Sequence, residues 1–321
     1  MHQVMEEDAA FSPTYFAMLT TAAIMASLGL EQNSSATVIG AMVVAPMMLP
    51  IRALGYGLLH FRWDLIGRSL GLIASSVGIC ILAGVSIELL SHTPSFGSEV
   101  WSRTSVTFLG LGVALAGGAL SAYCRVLEAP TLKDSLVGVG IAVSLVPPLG
   151  VVGITLAAGA WAEAWGATLL FITNLIGIAL ACLLVFWLSG YGSDTSWRSG
   201  LSLGLFLILL TSLWWPLSVA QTQAEQASQI DSYLQQNYQR YFPGAGQPRP
   251  IAIYWNRRPP VIEVSLTATQ PPDTKAVTAL NEAINQRQQR FYRLFVTYNP
   301  SVFIPSEQFQ KQAPPPKASS R

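Results

Sequence analysis

Residues 34–50 read SSATVIGAMVVAPMMLP, and this run decides how the rest of the chain is read. It is apolar enough to lie in a bilayer, yet it carries Pro46 and Pro50. A proline inside a helix removes one backbone donor and clashes with the preceding turn. Hydrocarbon cannot satisfy the carbonyls this frees, so such a break must be buried in protein or face a water-filled cavity. About a hundred residues on, a second run of the same kind, DSLVGVGIAVSLVPPLG, covers residues 134–150 and carries Pro147 and Pro148. Two interrupted apolar segments at corresponding positions are the sequence mark of a transporter built from repeats.

The composition agrees with a membrane setting. Of 321 residues, 51% are hydrophobic and 11% charged, against roughly 25% charged in an ordinary soluble chain. Mean hydropathy is +0.43. A net charge of +1 gives no reason to expect nucleic acid as a partner. Membrane lipid is the expected surroundings. Residues 1–12 hold Glu6, Glu7 and Asp8 but no Lys or Arg, so they lack the positive start of a cleaved leader.

Apolar runs of about twenty residues predict spans near 13–30, 35–59, 65–90, 104–124, 135–158, 165–188 and 200–220. Sorting the alternate loops by positive charge puts Arg62, Arg68, Arg125, Lys133 and Arg198 on one side and Arg103 on the other. The positive-inside rule then places the N-terminus in the cytoplasm. After seven spans the rest of the chain lies outside. The expected setting is the plasma (inner) membrane of a prokaryote.

Aligning Pro46 with Pro147 superposes spans one to three on spans four to six. Three spans per unit make the second unit inverted relative to the first. The expected fold class is therefore an α-helical polytopic membrane protein with two inverted three-helix repeats, at about 13–90 and 104–188. A seventh span near 200–220 completes the 13–220 membrane domain. Chance likeness of two apolar spans is the competing explanation.

Beyond residue 220 the chain turns polar. Ala227, Ile230, Leu234 and Tyr241 keep helical spacing, and 251–255 and 261–267 read as strands. Val277, Leu280, Ile284, Phe291 and Leu294 predict a helix over 273–295, followed by a strand over 296–304. Residues 221–305 are expected to form a small soluble α+β domain, and 306–321, with three consecutive prolines, a disordered tail.

The two proline runs, with the Ile-Gly-Ala-Met of 39–42, the Val-Pro-Pro-Leu-Gly-Val-Val-Gly of 146–153 and the Leu-Phe-Ile-Thr-Asn-Leu-Ile of 170–176, resemble a bacterial and archaeal hydrophobic-domain family. It is catalogued as domain of unknown function 389. The resemblance covers about 17–188 and implies a polytopic membrane protein without assigning an activity.

The residues expected to line a path for a small ion or solute are Gly40, Pro46, Pro50, Arg52, Gly140, Ser144, Pro147, Pro148 and Asn174. The prolines would expose backbone groups and the glycines would allow close approach. Prolines that merely shape packing are the alternative. Arg52 is costly in a membrane unless paired or functional, and an anion suits it if it faces a cavity; snorkelling to the interface is the other outcome. Asn174 is either glue between helices or a polar ligand. Glu31, Glu88, Glu128, Asp134 and Glu163 all fall near span ends, which argues against a central acidic relay. The scattered His2, His60 and His92 and the three cysteines form no metal pattern. With no P-loop or serine elbow either, no enzyme activity, metal or cofactor is expected.

Two functions remain open on the sequence. One is a transporter or channel for a small anion or neutral solute. The other is a scaffold or sensor whose outer domain binds a partner. Small-residue spacings such as Gly67 to Gly71 also allow a homo-oligomer.

Overall fold

The computed structural model describes residues 1–91, 96–127, 145–191, 204, 207–208, 211, 213–243, 245–246, 249–255, 259–268 and 271–300. The chain forms two compact units, Met1–Thr222 and Gln223–Arg321.

The first unit is helical. In order it contains α1 (His2–Asp8), α2 (Pro13–Glu31), α3 (Ser35–Val44), α4 (Met48–His60), α5 (Trp63–Ser91), the short α6 (Ser98–Trp101), α7 (Phe108–Val126), α8 (Val146–Ala157) and α9 (Trp161–Phe186). Helix starts follow local chemistry. Ser12 Oγ accepts from Tyr15 N at 3.1 Å with Pro13 in the first turn of α2, and Thr107 Oγ1 accepts from Gly110 N at 3.1 Å to open α7. Ser34 caps α3 in the same way. Each cap satisfies an amide that the helix itself cannot. The Thr107 cap is why α7 begins at Phe108 rather than at 104.

Among the described residues, Pro13–Glu31, Trp63–Ser91, Phe108–Val126 and Trp161–Tyr191 are long and apolar enough to cross a membrane. The pair α3 and α4, bent by 52°, makes a fifth candidate. This is a helical, multi-pass membrane protein. Of the seven spans expected, 135–158 is represented by α8 alone, and most of 200–220 lies outside the described residues, as do 134–144 and the 306–321 tail.

Lipid-side surface and core separate as a bilayer requires. Leu82, Leu90, Leu109 and Leu120 stand exposed on the outside of the bundle, where hydrocarbon would be their solvent. Inside, helices approach through small residues. A Cβ on Gly153 of α8 would lie 2.9 Å from Gly84 Cα and 2.8 Å from Val85 N of α5. A Cβ on Gly118 of α7 would lie 2.7 Å from Ile178 O of α9, and one on Gly55 of α4 2.9 Å from Cys182 Cβ. Such contacts supply the van der Waals packing that holds membrane helices together. A polar tie joins α2 and α5, where Tyr15 Oη and Ser76 Oγ meet at 2.8 Å.

The second unit is built from the later part of α10 (Trp214–Tyr241), β1 (Arg249–Tyr254), β2 (Val261–Ala268), α11 (Thr274–Gln288) and β3 (Arg293–Pro300). The sheet order is β1-β2-β3, with β1 antiparallel and β3 parallel to β2. Ile230, Leu234, Ile262, Val264, Leu266, Leu280 and Ile284 form its core. The predicted helix over 273–295 overran its true end. Gln289 takes a left-handed conformation (φ 49°), and the Asn285 side chain accepts from Tyr292 N at 2.7 Å and donates to Tyr292 O at 3.2 Å. That clasp turns the chain into β3, which claims Leu294 and begins before the predicted 296.

Because the atoms facing Gly84 and Gly153 are backbone, no side-chain rotation can relieve an added methyl. Gly153→Ala is expected to destabilise the protein by at least the ~1–3 kcal/mol typical of overpacking. Gly78→Ala, which meets nothing within 4 Å, should be neutral or stabilising by up to ~1 kcal/mol through helix propensity. Thermal unfolding of the two variants in detergent compares them.

Candidate functional site

The break between α3 and α4 spans Ala45 to Met47. Ala45 is extended (ψ 121°), its N–H still reaching Ala41 O at 3.2 Å, and Leu49 N donates to Pro46 O at 3.1 Å as the chain re-enters a helix. Pro50 falls in the first turn of α4, and Pro147 and Pro148 in the first turn of α8. Proline is well placed there, because first-turn amides have no partner within the helix. Pro50, Pro147 and Pro148 thus lie at helix starts, and α4 follows the break at Ala45 to Met47. Both helices are deep in the bundle, with Pro50 to Gly57 and Val146 to Thr155 buried throughout. Met47 and Leu145, which flank the two starts, are each 2% exposed and share one apolar cluster with Ile51, Val146 and Leu149. Gly40 has ordinary room, its nearest neighbour being Met25 Cε at 3.9 Å. Gly140 and Ser144 lie outside the described residues.

Two residues past Pro50, Arg52 is 2% exposed. It neither snorkels nor points into open space. Its Nε and Nη2 donate to a single oxygen of Asp8, Oδ2, at 3.0 and 2.6 Å, and its Nη1 donates to Ser121 Oγ at 3.3 Å. Arg125, at the end of α7, donates from Nη2 to the other Asp8 oxygen, Oδ1, at 3.1 Å. Asp8 itself is 5% exposed. Two guanidinium groups therefore share one carboxylate. The remaining contacts of α1 follow the same side of α4: His2 Nδ1 meets Tyr56 Oη at 3.1 Å, and Arg62 pairs with Glu6 at 2.7 Å.

Asn174 is 5% exposed and sits in α9. It lines a cavity of about 270 Å³ together with Arg103, Ser105, Thr107, Ala114 and Leu170. The cavity lies at the start of α7 and beside the middle of α9, whereas Ser121, Arg125 and Cys182 lie toward the C-terminal ends of the two helices. From Asn174 to Cys182, which packs on Gly55 one turn from Arg52, is about 12 Å along the helix at ~1.5 Å per residue. Between cavity and ion cluster the two helices touch at Gly118 and Ile178.

The loop beside the cavity is tied down by charge. Glu99 accepts from Ser35 Oγ and pairs with Arg103 at 2.6 Å. Asn33 Oδ1 accepts from Glu99 N at 2.8 Å and from Ser98 Oγ at 3.1 Å. Burial pushes the Glu99 carboxyl up, but the hydrogen bonds from Ser35 and Arg103 and the Arg103 charge outweigh it and hold the group below its ordinary value.

The sequence pointed to Arg52 and Asn174 but not to Asp8, Ser121 or Arg125 as partners. Asp8 stands 44 positions from Arg52 and 117 from Arg125. No local spacing links them, and the acidic N-terminus reads only as a segment ahead of the first span.

Residues 42–180 match the model of the family described as Domain of unknown function (DUF389). The resemblance read from the two proline runs is thus shown. The match takes in Arg52, Ser121, Arg125 and Asn174, while Asp8 lies before it. An uncharacterized protein of Methanocaldococcus jannaschii is 27% identical over 222 residues, 68% of this chain and 68% of that protein.

Two outcomes follow. Removing either partner of a buried pair strands a charge, so Asp8→Ala and Arg52→Ala should each cost about 3–5 kcal/mol. The double variant should cost clearly less than their sum, a coupling read by a double-mutant cycle on unfolding. The Glu99 tie behaves differently with pH. A carboxylate whose value is lowered by folding stabilises above its unfolded value and loses that contribution as pH falls through the lowered one. Melting curves between about pH 3 and 6 should therefore fall less steeply for Glu99→Gln than for the parent protein.

Proposed function

We propose that the protein is a membrane transporter or channel for a small anion or neutral solute. One observation carries the reading. Among the described residues, the buried Arg52 and the partly exposed Arg125 share the carboxylate of Asp8, and this cluster and a cavity lined by Arg103, hydroxyls and Asn174 lie at different levels of one helix pair, separated by the Gly118 and Ile178 contact. A hydrogen-bonded cluster with more cationic than anionic groups among the described residues, set in an apolar bundle, favours anions and disfavours cations. The solute would pass along α7 and α9, with Asn174 before the Gly118 and Ile178 contact and Arg52 beyond it. The proline-started α4 and α8 would hold this pair in place as the rigid cores of two inverted three-helix repeats within seven spans. The cluster end would face the cytoplasm and the second unit the opposite compartment, since Arg62, Arg68 and Arg125 gather at the first.

A scaffold or sensor is the second reading, and the burial of Met47 and Leu145 favours it. A dry helix break requires no solute. The two readings part over water access. In a protein freed of Cys80, Cys124 and Cys182, Asn174→Cys should react with a membrane-impermeant thiol reagent from the same side as Ala158→Cys in the exposed loop between α8 and α9. Met47→Cys should stay at least ~tenfold slower, a ratio equal to about 1.4 kcal/mol of opening free energy. Should Asn174→Cys stay dark in vesicles while Ala158→Cys reacts, the transport reading fails and the scaffold reading replaces it.

A further inference from the structure

The Arg52, Arg125 and Ser121 cluster offers more than Asp8 uses. Asp8 accepts two bonds from Arg52 on one oxygen and one from Arg125 on the other. Arg125 Nε is buried and has no acceptor among the described residues. A buried guanidinium donor without an acceptor is costly, since nothing replaces the bonds it made to water. The carboxylate that fills the cluster comes from α1, a helix of seven residues. A helix this short is unstable by itself and is held only by what it packs on. Its apolar anchors are the buried Met5 and Ala9, with Met1 and Val4 packed partly buried against the same core. Its other ties run from its exposed or half-exposed side chains, His2 to the buried Tyr56 and Glu6 to Arg62.

We infer that Arg52, Arg125 and Ser121 form a binding site for a small oxyanion, and that Asp8 occupies it as a tethered, displaceable ligand carried on α1. The substrate class is set by the donors. Two guanidinium forks and a hydroxyl present planar, divergent N–H groups that suit the paired oxygens of a carboxylate or a comparable oxyanion better than a spherical halide. When an oxyanion replaces Asp8, the charge of the site is kept, and α1 loses its one buried ionic anchor and lifts from α4. Tethering gives Asp8 a high effective concentration, so the resting site is closed and opens only to a ligand that competes with it. The inference rests on the transport reading for the role of the ligand but not for its binding.

The test uses full-length protein in lipid nanodiscs and formate as the probe, with chloride at equal ionic strength as the comparison. In the protein freed of native cysteines, Met5→Cys reports whether α1 is seated, because Met5 is 0% exposed. Formate at about ten times its dissociation constant for the open site should raise the labelling rate about tenfold; chloride should not. A second measurement removes the tethered ligand. Asp8→Ala should be stabilised against heat by formate over chloride, and Asp8→Ala combined with Arg52→Gln should not. Asp8→Asn, which keeps the side-chain volume, takes the place of Asp8→Ala if that variant does not fold. Equal responses to formate and chloride would overturn the oxyanion assignment. Labelling of Met5→Cys that ignores formate would overturn displacement and leave Asp8 a fixed strut. Formate binding without anion flux in liposomes would retain this inference while rejecting transport.

Discussion

A guanidinium at 2% exposure in an apolar bundle is the constraint around which the first unit is arranged. Moving such a group out of water costs several kcal/mol even after relaxation, and only a well-aimed counter-charge offsets it. The counter-charge is Asp8. To deliver it, the chain ahead of the first span folds into α1, runs along α4, and turns back at Ala9 to Ser12 so that Pro13 can open α2. Arg125 comes from the far end of α7 and Ser121 from one turn earlier. Three segments distant in sequence are thus brought to one point by a single electrostatic requirement.

The second constraint is close approach. Membrane helices gain nothing from leaving lipid for one another except packing and hydrogen bonds, so backbones must nearly touch. Gly84 against Gly153, Gly118 against Ile178, and Gly55 against Cys182 provide this at three different helix pairs. The last two bring α4, α7 and α9 together around Arg52. Cys182 Sγ also donates to Gly118 O at 3.3 Å, so the same small residues that allow the approach leave a carbonyl within reach of a thiol.

Among the described residues, the prolines of the two runs gather at helix starts. Pro50, Pro147 and Pro148 occupy first-turn positions where a missing N–H costs nothing, and only Pro46 stands in the interruption itself. Around it Val43 to Pro46 are partly exposed while Met47 is buried. The consequence is positional. Restarting the helix at Met48 with a 52° bend turns α4 into the bundle and sets Arg52 where Asp8 can reach it.

Composition and apolar periodicity alone determined that this is a helical membrane protein, since long uncharged runs have no other stable setting. They also marked the change to a polar α+β segment near residue 220 and singled out Arg52 and Asn174 as residues whose polarity demands an explanation. The partners that supply the explanation were decided by tertiary structure. Asp8 stood only as part of an acidic start without Lys or Arg, because an ion pair 44 positions apart leaves no periodic trace. Likewise the end of α11 was hidden until Asn285 was seen bonding Tyr292, for the apolar spacing of Phe291 and Leu294 continues the helical pattern unbroken. Periodicity records which face of a segment is apolar; it carries no record of which distant polar group meets which, and in a bundle this dry those meetings fix the site.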